Sequence, residues 1–485
     1  MATPDAPRRG PDPAHGAGVQ LAGASRGDGQ FRRNVAIALL CLGVYLLLAI
    51  TGRTVLFADG AFYLTWILEH QRPMDFDSGR HFAHLVTQVP AVLALRLGVS
   101  DLKLLTGLFA LGLWVPFAIG FWICRRAAGL RQELVLFPLV SFFAVTANSS
   151  FVIVSESHLV VSLFWALLLV LAVPRPWSGW WLALAVGLGL PLLRSYESMV
   201  LLGPILAIAA SWRAAVTHSR SLRLGAAAVA VWCLAGTTVA AYWTLFPRVP
   251  FNRQAFTGAL LPLRDHLGHM HGFILLSLSA LVLMGIAAVR GRARVLTLGI
   301  AVFLLAAIAL SLQPLLRPAT VAPLLHYHAR TLNLSLTLAL TAAFAFTLRW
   351  GCNVPLVRWA HASSVLLILA AAQTTWFAFA TWHWIGYFSL VRREVSSASG
   401  LRAFEETRLG QPLVDGHPAA TMNWGWTMPT LSILVAPGGV VRAIIANPLA
   451  ERGWQPFDPR NPDSLPRLQH YGVDYGAYLA ALRGP

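Results

Sequence analysis

Long apolar stretches separated by short polar segments occupy most of the chain from residue 34 to residue 381. A helix needs about 20 apolar residues to cross a bilayer. The pattern therefore predicts an all-α polytopic membrane protein with about eleven transmembrane helices. The predicted spans lie near 34–50, 103–124, 132–147, 152–173, 178–193, 196–212, 223–246, 272–289, 295–313, 329–348 and 362–381.

The basic residues predict how these spans are oriented. Residues 1–33 are rich in Pro, Gly and Ala and end in Arg32-Arg33, so we expect a disordered cytoplasmic tail. An odd number of spans then places the C-terminus outside. We expect the protein to lie in a bacterial inner membrane. The arginines that fall in the short loops predicted to be cytoplasmic are Arg125, Arg126, Arg131, Arg175, Arg213, Arg220, Arg223, Arg290, Arg292, Arg294, Arg349 and Arg358.

The segment between the first two spans, residues 51–102, is long and unusually polar. Ionisable groups beside hydrocarbon usually line an aqueous cavity or bind a polar substrate, so this external loop is the first candidate for a functional site. Within it, 82–97 is apolar but short, and it contains His84, Gln88 and Pro90. We expect an interfacial or re-entrant helix. A crossing helix there would reverse the arginine bias of every later loop.

Composition agrees with a membrane protein, because 56% of the residues are hydrophobic, only 12% are charged, and the mean hydropathy is +0.62. The formal net charge of +17 does not indicate a nucleic-acid partner, since the arginines are dispersed between apolar stretches. Lys103 is the only lysine, and no phosphate-binding loop motif occurs. The four cysteines lack metal-ligand spacing and predict neither a disulfide framework nor a thiolate zinc site.

Composition changes near residue 385, where charged and Pro-rich segments begin. The pattern predicts a transmembrane domain over 34–384 and a small α+β extracytoplasmic domain over 385–485. Gly438-Gly439 lies between apolar runs that favour strands, which predicts a β-hairpin. Trp424 and Trp426 could stack on a sugar or belong to the core of this domain.

A series of short motifs follows the first predicted span in a fixed order. They are Asp59-Gly60, Gln88-Val89-Pro90, Leu97-Gly98-Val99-Ser100, Ser155-Glu156 and Gly187 to Arg194. In order and spacing, over roughly residues 34–215, they resemble motifs of the C-type (GT-C) superfamily of membrane glycosyltransferases, in particular protein O-mannosyltransferases and lipid A aminoarabinose transferases. Gly60 departs from the family pattern, which has a second acid there, and one proline of the family's second motif is missing.

The resemblance implies transfer of a sugar from a polyprenyl-phosphate donor to an extracytoplasmic acceptor, which could be a lipid, a glycan or a protein. Such a reaction needs a carboxylate that takes the acceptor proton and cations that stabilise the departing phosphate. Asp59 and Glu156 are the implied catalytic acids, although Asp59 could instead cap a helix and Glu156 could pair between helices. Arg194 is the implied phosphate ligand, with an ion pair to Glu197 as the alternative.

Several further residues are candidates for binding. His81, His84 and Gln88 share one helix face, and Tyr196 lies beside Arg194, so we expect His81, His84 and Tyr196 to contact substrate. His326, His328 and Arg330 are expected to meet a lipid phosphate or the acceptor. His266, His269 and His271 are better explained as an interfacial loop. The sequence indicates no specific cofactor, but Asp75 and Asp77 form an Asp-x-Asp pattern that could bind a divalent metal.

A secondary transporter of an anion or a metal ion is the alternative function. A transporter is expected to place ionisable residues near the bilayer midplane, in matching halves of the chain. Here the polar residues cluster at one predicted surface, which favours chemistry at that surface.

The first testable prediction concerns orientation. Reporter fusions at Ala127 should give a cytoplasmic signal and fusions at Arg392 an external one, because only this arrangement keeps the arginine-rich loops inside. An external signal at Ala127 would mean that 82–97 crosses the bilayer.

Overall fold

The computed structural model describes residues 13–75, 79–149, 156–246, 323–350, 359–422, 425–446 and 457–483, with single positions between 282 and 305. The predicted spans at 272–289 and 295–313 lie largely outside this part. Residues 266–271, Asp77 and Trp424 lie outside it as well.

The described chain is mostly helical, as the apolar pattern predicts. Five helices contain stretches long and apolar enough to cross a membrane: Gly29–Thr51, Leu102–Ala128, Met199–Val216, Arg220–Leu245 and Ser363–Ser397. Shorter apolar helices account for four more of the predicted spans. The helices of this part are α1 (Pro13–Thr51), α2 (Asp59–His70), α3 (His81–Arg96), α4 (Leu102–Ala128), α5 (Leu136–Ser149), α6 (Glu156–Ala172), α7 (Gly179–Leu192), α8 (Met199–Val216), α9 (Arg220–Leu245), α10 (Pro323–Trp350) and α11 (Trp359–Ser397).

The first helix begins earlier than the sequence predicts. Residues 13–33 are helical, so the prediction of disorder over 1–33 is wrong for this part, and residues 1–12 lie outside the described chain. Ala14, Ala17, Leu21 and Ala22 are strong helix formers, and they extend a helix that the apolar segment has already nucleated. The glycine-rich composition concealed this propensity.

The polar segment between α1 and α4 folds into two helices. α3 has 16 residues, which corresponds to about 24 Å of helix, less than the roughly 30 Å of a bilayer core. It is absent both from the candidate spans of the described chain and from the shorter apolar helices there, which include α6 and α7. α3 packs against α4 and also contacts α6 and α7.

Glycines allow the closest helix contacts of this part. A Cβ on Gly112 of α4 would overlap the backbone carbonyl oxygen of Thr87 in α3. In the same way, a Cβ on Gly203 of α8 would overlap the Thr237 hydroxyl of α9. Small residues that bring helix backbones together are typical of membrane bundles. Gly112 therefore holds α3, which carries His84 and Gln88, tightly against α4.

The last membrane helix is longer than predicted. α11 continues to Ser397, so the boundary at 385 that composition suggests falls inside a helix. Its last turns bury a stripe at helical spacing formed by Trp384, Tyr387, Val391 and Val395, each no more than 1% exposed. The charged residues between them obscured this amphipathic pattern in the sequence.

The C-terminal domain consists of short helices around a small parallel sheet. Strand β1 (Gly400–Ala403) pairs with β2 (Ala443–Ala446), with Gly400 opposite Ala443. The predicted hairpin at Gly438-Gly439 is wrong, because the preceding apolar run forms a helix and β2 pairs with the distant β1. The helices are α12 (Ala419–Met422), α13 (Met428–Leu434) and α14 (Gly476–Arg483).

This domain rests on α2. The Tyr471 hydroxyl donates to the backbone oxygen of Leu68 at 3.0 Å, and Trp426 meets Phe62 edge-to-face at 5.1 Å between ring centroids. Trp426 therefore packs between the domain and α2. Trp384 of α11 donates to the Gly52 carbonyl at 3.0 Å, which fastens the start of the same segment. The described part of the segment after α1 is thus held by the C-terminal domain as well as by α11.

The second testable prediction concerns the contact at Gly112. Gly112→Ala should lower thermal stability, at a cost of about 1–3 kcal/mol for overpacking, because the Thr87 carbonyl cannot yield as a flexible side chain would. Gly107→Ala on the same helix is the control. It meets only the Ile50 side chain at 3.6 Å, so improved helix propensity should leave stability equal or higher. Equal melting temperatures for the two purified variants would contradict the contact.

Candidate active site

The most deeply buried acid at the α2 end of the bundle is Glu156, in the first turn of α6. It is 3% exposed. An acid at a helix N-terminus faces the positive end of the helix dipole, which stabilises its charge. Burial makes further positive or hydrogen-donating groups necessary.

Three side chains from two other helices supply them. The Tyr63 hydroxyl of α2 donates to Glu156 Oε1 at 3.2 Å. His84 Nε2 of α3 lies 3.5 Å from the same oxygen, and Arg80 lies 3.6 Å from Oε2. The rings of Tyr63 and His84 meet edge-to-face at 5.0 Å. One carboxylate thus joins α2, α3 and α6.

Arg80 is shared between two acids. Its guanidinium donates to Glu197 Oε1 at 2.6 Å from one terminal nitrogen and at 3.2 Å from Nε. It also lies over the Tyr196 ring, 4.9 Å from the centroid. The Arg80 side chain is 19% exposed and Glu197 is 38% exposed, so the cluster reaches from the buried Glu156 towards the surface of the protein.

The linker between α7 and α8 completes this arrangement. The Phe82 N–H donates to the Arg194 carbonyl oxygen at 2.9 Å, so the start of α3 is tied to the linker. Arg194 itself is half-buried. Its predicted alternative partner, Glu197, forms its short ion pair with Arg80. The structure therefore brings together Glu156, His84 and Tyr196, with Arg194 on the same linker.

Gln88 extends the cluster along α3. Its side chain is fully buried, and its Oε1 accepts from the backbone N–H of Met74 at 2.7 Å. Its Nε2 lies 3.1 Å from His84 Nδ1. Arg80, His84 and Gln88 follow one another at intervals of four residues, which places them along one face at the start of α3.

Asp59 lies one helical turn before Tyr63 on α2. The helix cap is Ala58 and Asp59 is the first helical residue, so Asp59 is not the N-cap that sequence alone suggested. Residues four apart on a helix share a face, here about 6 Å apart along the axis. Asp59 is half-buried, whereas Glu156 is buried. It is therefore the more accessible of the two predicted catalytic acids.

The other predicted site residues lie elsewhere or outside the described side chains. His81 is half-buried and its ring lies 5.7 Å from that of Phe82. Asp75 is 41% exposed and faces Arg72 at 3.5 Å. Among the described residues, no three His, Cys, Asp or Glu side chains are arranged to hold a metal. The side chains of His326, His328 and Arg330, in the first turns of α10, are outside the described part, as is Asp77.

The opposite face of α6 lines a small cavity. His158 borders a space of about 20 Å³ together with Thr54 and Phe377. This volume suits a water molecule and is far too small for a sugar.

A separate polar cluster joins α11 to the C-terminal domain. His383 Nδ1 lies 3.3 Å from His417 Nδ1. Burial lowers the pKa of His417, with a smaller opposing contribution from Asp415. Hydrogen bonds from Arg393 and Arg408 lower the pKa of Asp415 in turn. These contacts fasten the domain to α11.

The roles of Tyr63, Arg80 and Glu197 were not predicted from the sequence. The four-residue spacing of Arg80, His84 and Gln88 indicates a polar face on an apolar helix. Polar groups buried on such a face need hydrogen-bond or ionic partners. Tyr63, four residues after Asp59, was the equivalent signal on α2. The pairing of Arg80 with Glu197 joins residues far apart in the chain, and no local pattern indicates it.

Comparisons of the chain with models of known protein families, with curated proteins and with solved structures give no match.

The third testable prediction compares two ion pairs of the same segment. Arg80→Met should destabilise the protein by about 3–5 kcal/mol, because it leaves the buried Glu156 without its cation. Arg72→Met removes an exposed pair with Asp75 and should cost less than about 1 kcal/mol. Unfolding of the purified variants in detergent measures both. An equally small effect for the two would show that Glu156 does not depend on Arg80.

Proposed function

We propose that the protein is an integral-membrane glycosyltransferase that moves a sugar from a polyprenyl-phosphate donor to an extracytoplasmic acceptor. The observation that carries this proposal is the cluster around Glu156, in which a buried acid, an arginine, a histidine and a tyrosine meet at one end of an apolar bundle. Ionisable groups in such a position are costly and are usually functional. The motif resemblance supports the same reaction.

In this proposal the two acids have different roles. Asp59 takes the proton of the acceptor hydroxyl, because it is only half-buried and lies one helical turn from Tyr63 of the Glu156 cluster. Glu156 is held by Arg80, Tyr63 and His84, so it orients those groups and does not face the acceptor directly.

Cations near the cluster stabilise the leaving phosphate. Arg80 and Arg194 are the nearest candidates, and a guanidinium offers a fork of donors that suits phosphate oxygens. His81 and Tyr196 are proposed to contact the sugar, and His326, His328 and Arg330 the lipid phosphate or the acceptor. The polyprenyl chain would lie among membrane lipids along the helices. The acceptor could be a lipid, a glycan or a protein.

We place the protein in a bacterial inner membrane with a cytoplasmic N-terminus. The α2 end of the bundle and the C-terminal domain then face the extracytoplasmic side. The domain packs on α2, so it would cover part of the approach to Asp59.

A secondary transporter of an anion or a metal ion is the second candidate. The observation that favours it is the contact of a buried acid with a buried histidine, since such pairs also relay protons in transporters. Uptake of a solute into vesicles, without release of polyprenyl phosphate from a donor, would support the transporter.

The fourth testable prediction concerns Asp59. Purified protein in lipid vesicles, given a panel of polyprenyl-phosphate sugars together with lipid, glycan and protein acceptors, should transfer the sugar to an acceptor and release polyprenyl phosphate. Asp59→Asn should lower the rate by about 10²- to 10⁴-fold. Donor binding and thermal stability should be unchanged, because the substitution preserves shape.

Glu69→Gln is the matched control, an exposed acid in the last turn of the same helix, and it should retain full activity. Release at the wild-type rate by Asp59→Asn would remove Asp59 from catalysis. No release by the wild type from any donor of the panel would contradict the proposed function.

A further inference from the structure

The hydrogen bonds of Gln88 determine where His84 carries its proton. A backbone N–H can only donate, so the atom of Gln88 that faces Met74 N at 2.7 Å must be the carbonyl oxygen Oε1. The other end of the amide, the NH₂ group, is then the end that lies 3.1 Å from His84 Nδ1. An NH₂ group can only donate, so Nδ1 must accept.

A neutral imidazole has one protonated nitrogen and one acceptor nitrogen. Since Nδ1 of His84 is the acceptor, its proton resides on Nε2. This is the nitrogen that lies 3.5 Å from Glu156 Oε1. Rotating the ring by half a turn would place carbon atoms against Gln88 and Glu156 and lose both contacts.

We propose that Gln88 is a positioning residue that keeps His84 as a neutral hydrogen-bond donor directed at Glu156. His84 then has no free lone pair on either side, because Nδ1 is occupied by Gln88 and Nε2 carries the proton. Its task is to add a donor to the carboxylate beside Tyr63 and Arg80, and it is not a base. Met74, which fixes Gln88, lies in the segment between α2 and α3.

Gln88, His84 and Glu156 are all buried, so water does not compete for the hydrogen bonds that fix the proton on His84. Gln88 is 0% exposed, His84 is 1% exposed and Glu156 is 3% exposed. A buried polar group without a partner costs about 1–3 kcal/mol, so each member is constrained by the next. The titratable groups in contact with His84 include Tyr63 from α2 and Glu156 from α6, and Arg80, the residue just before α3, faces the same carboxylate.

The consequence for the reaction rests on the proposed function. If His84 cannot accept a proton, the proton of the acceptor must go to a carboxylate, and Asp59 is the accessible one. The placement of the His84 proton itself does not depend on any activity.

The test is nitrogen NMR of the full chain with ¹⁵N-labelled histidine, reconstituted in lipid. Subtracting the spectrum of His84→Asn isolates the signals of His84. In the wild type near neutral pH we expect a protonated Nε2 and an unprotonated Nδ1. A protonated Nδ1 in the wild type would overturn the proposal.

Gln88→Glu is the diagnostic variant. A carboxylate keeps the acceptor for Met74 N–H but replaces the donor that faces Nδ1 with an acceptor. We expect His84 to become protonated on Nδ1, either as the other tautomer or as imidazolium. Gln88→Met, which removes the donor without adding an acceptor, is the control and should show a mixture of the two tautomers. An unprotonated Nδ1 that persists in all three proteins would contradict the role of Gln88.

The same variants separate this proposal from the proposed function. A wild type with the expected tautomer that releases no polyprenyl phosphate would leave Gln88 as a positioning residue and remove the transferase. A wild type that transfers sugar with Nδ1 protonated would keep the transferase and remove the role of Gln88.

Discussion

A carboxylate buried between helices needs positive charge and hydrogen-bond donors close to it. Glu156, at the α2 end of the bundle, is such a carboxylate. Its neighbours come from different elements: Tyr63 from α2, and Arg80 and His84 from the start of α3. Removing one partner of such a group costs about 3–5 kcal/mol. The carboxylate therefore fixes the relative positions of α2, α3 and α6. Through Arg80 and Glu197 it also fixes the linker between α7 and α8.

Packing and polar contacts reinforce each other in this region. Gly112 lets α3 approach α4 closely enough for its polar face to reach α6. The C-terminal domain holds α2 from the other side, through Tyr471 and Trp426. A site assembled on helices that are clamped in this way is more precise than one on a mobile loop. In the described part of the polar segment after α1, α2 is therefore held both by the bundle and by the C-terminal domain.

The apolar pattern predicted most helices well, because long periodic or apolar segments have few alternatives. Predictions failed where tertiary packing decides. The strand β2 pairs with a partner about forty residues earlier in place of the predicted hairpin, and the last turns of α11 are stabilised by burial of Tyr387 and Val391 against the domain. Of the candidate site residues, Glu156, His84 and Tyr196 lie together. Arg80 and Glu197 could not be paired from sequence, since their contact exists only in the folded chain.

The contacts of Glu156 with Arg80, Tyr63 and His84 indicate an ionised carboxylate. The infrared difference spectrum between the wild type and Glu156→Gln, recorded on purified protein in lipid at neutral pH, reports this charge. We expect the substitution to remove the paired stretching bands of an ionised carboxylate. Loss of the single carbonyl band of a protonated carboxylic acid would show that Glu156 is neutral and that Arg80 does not hold a charged partner there.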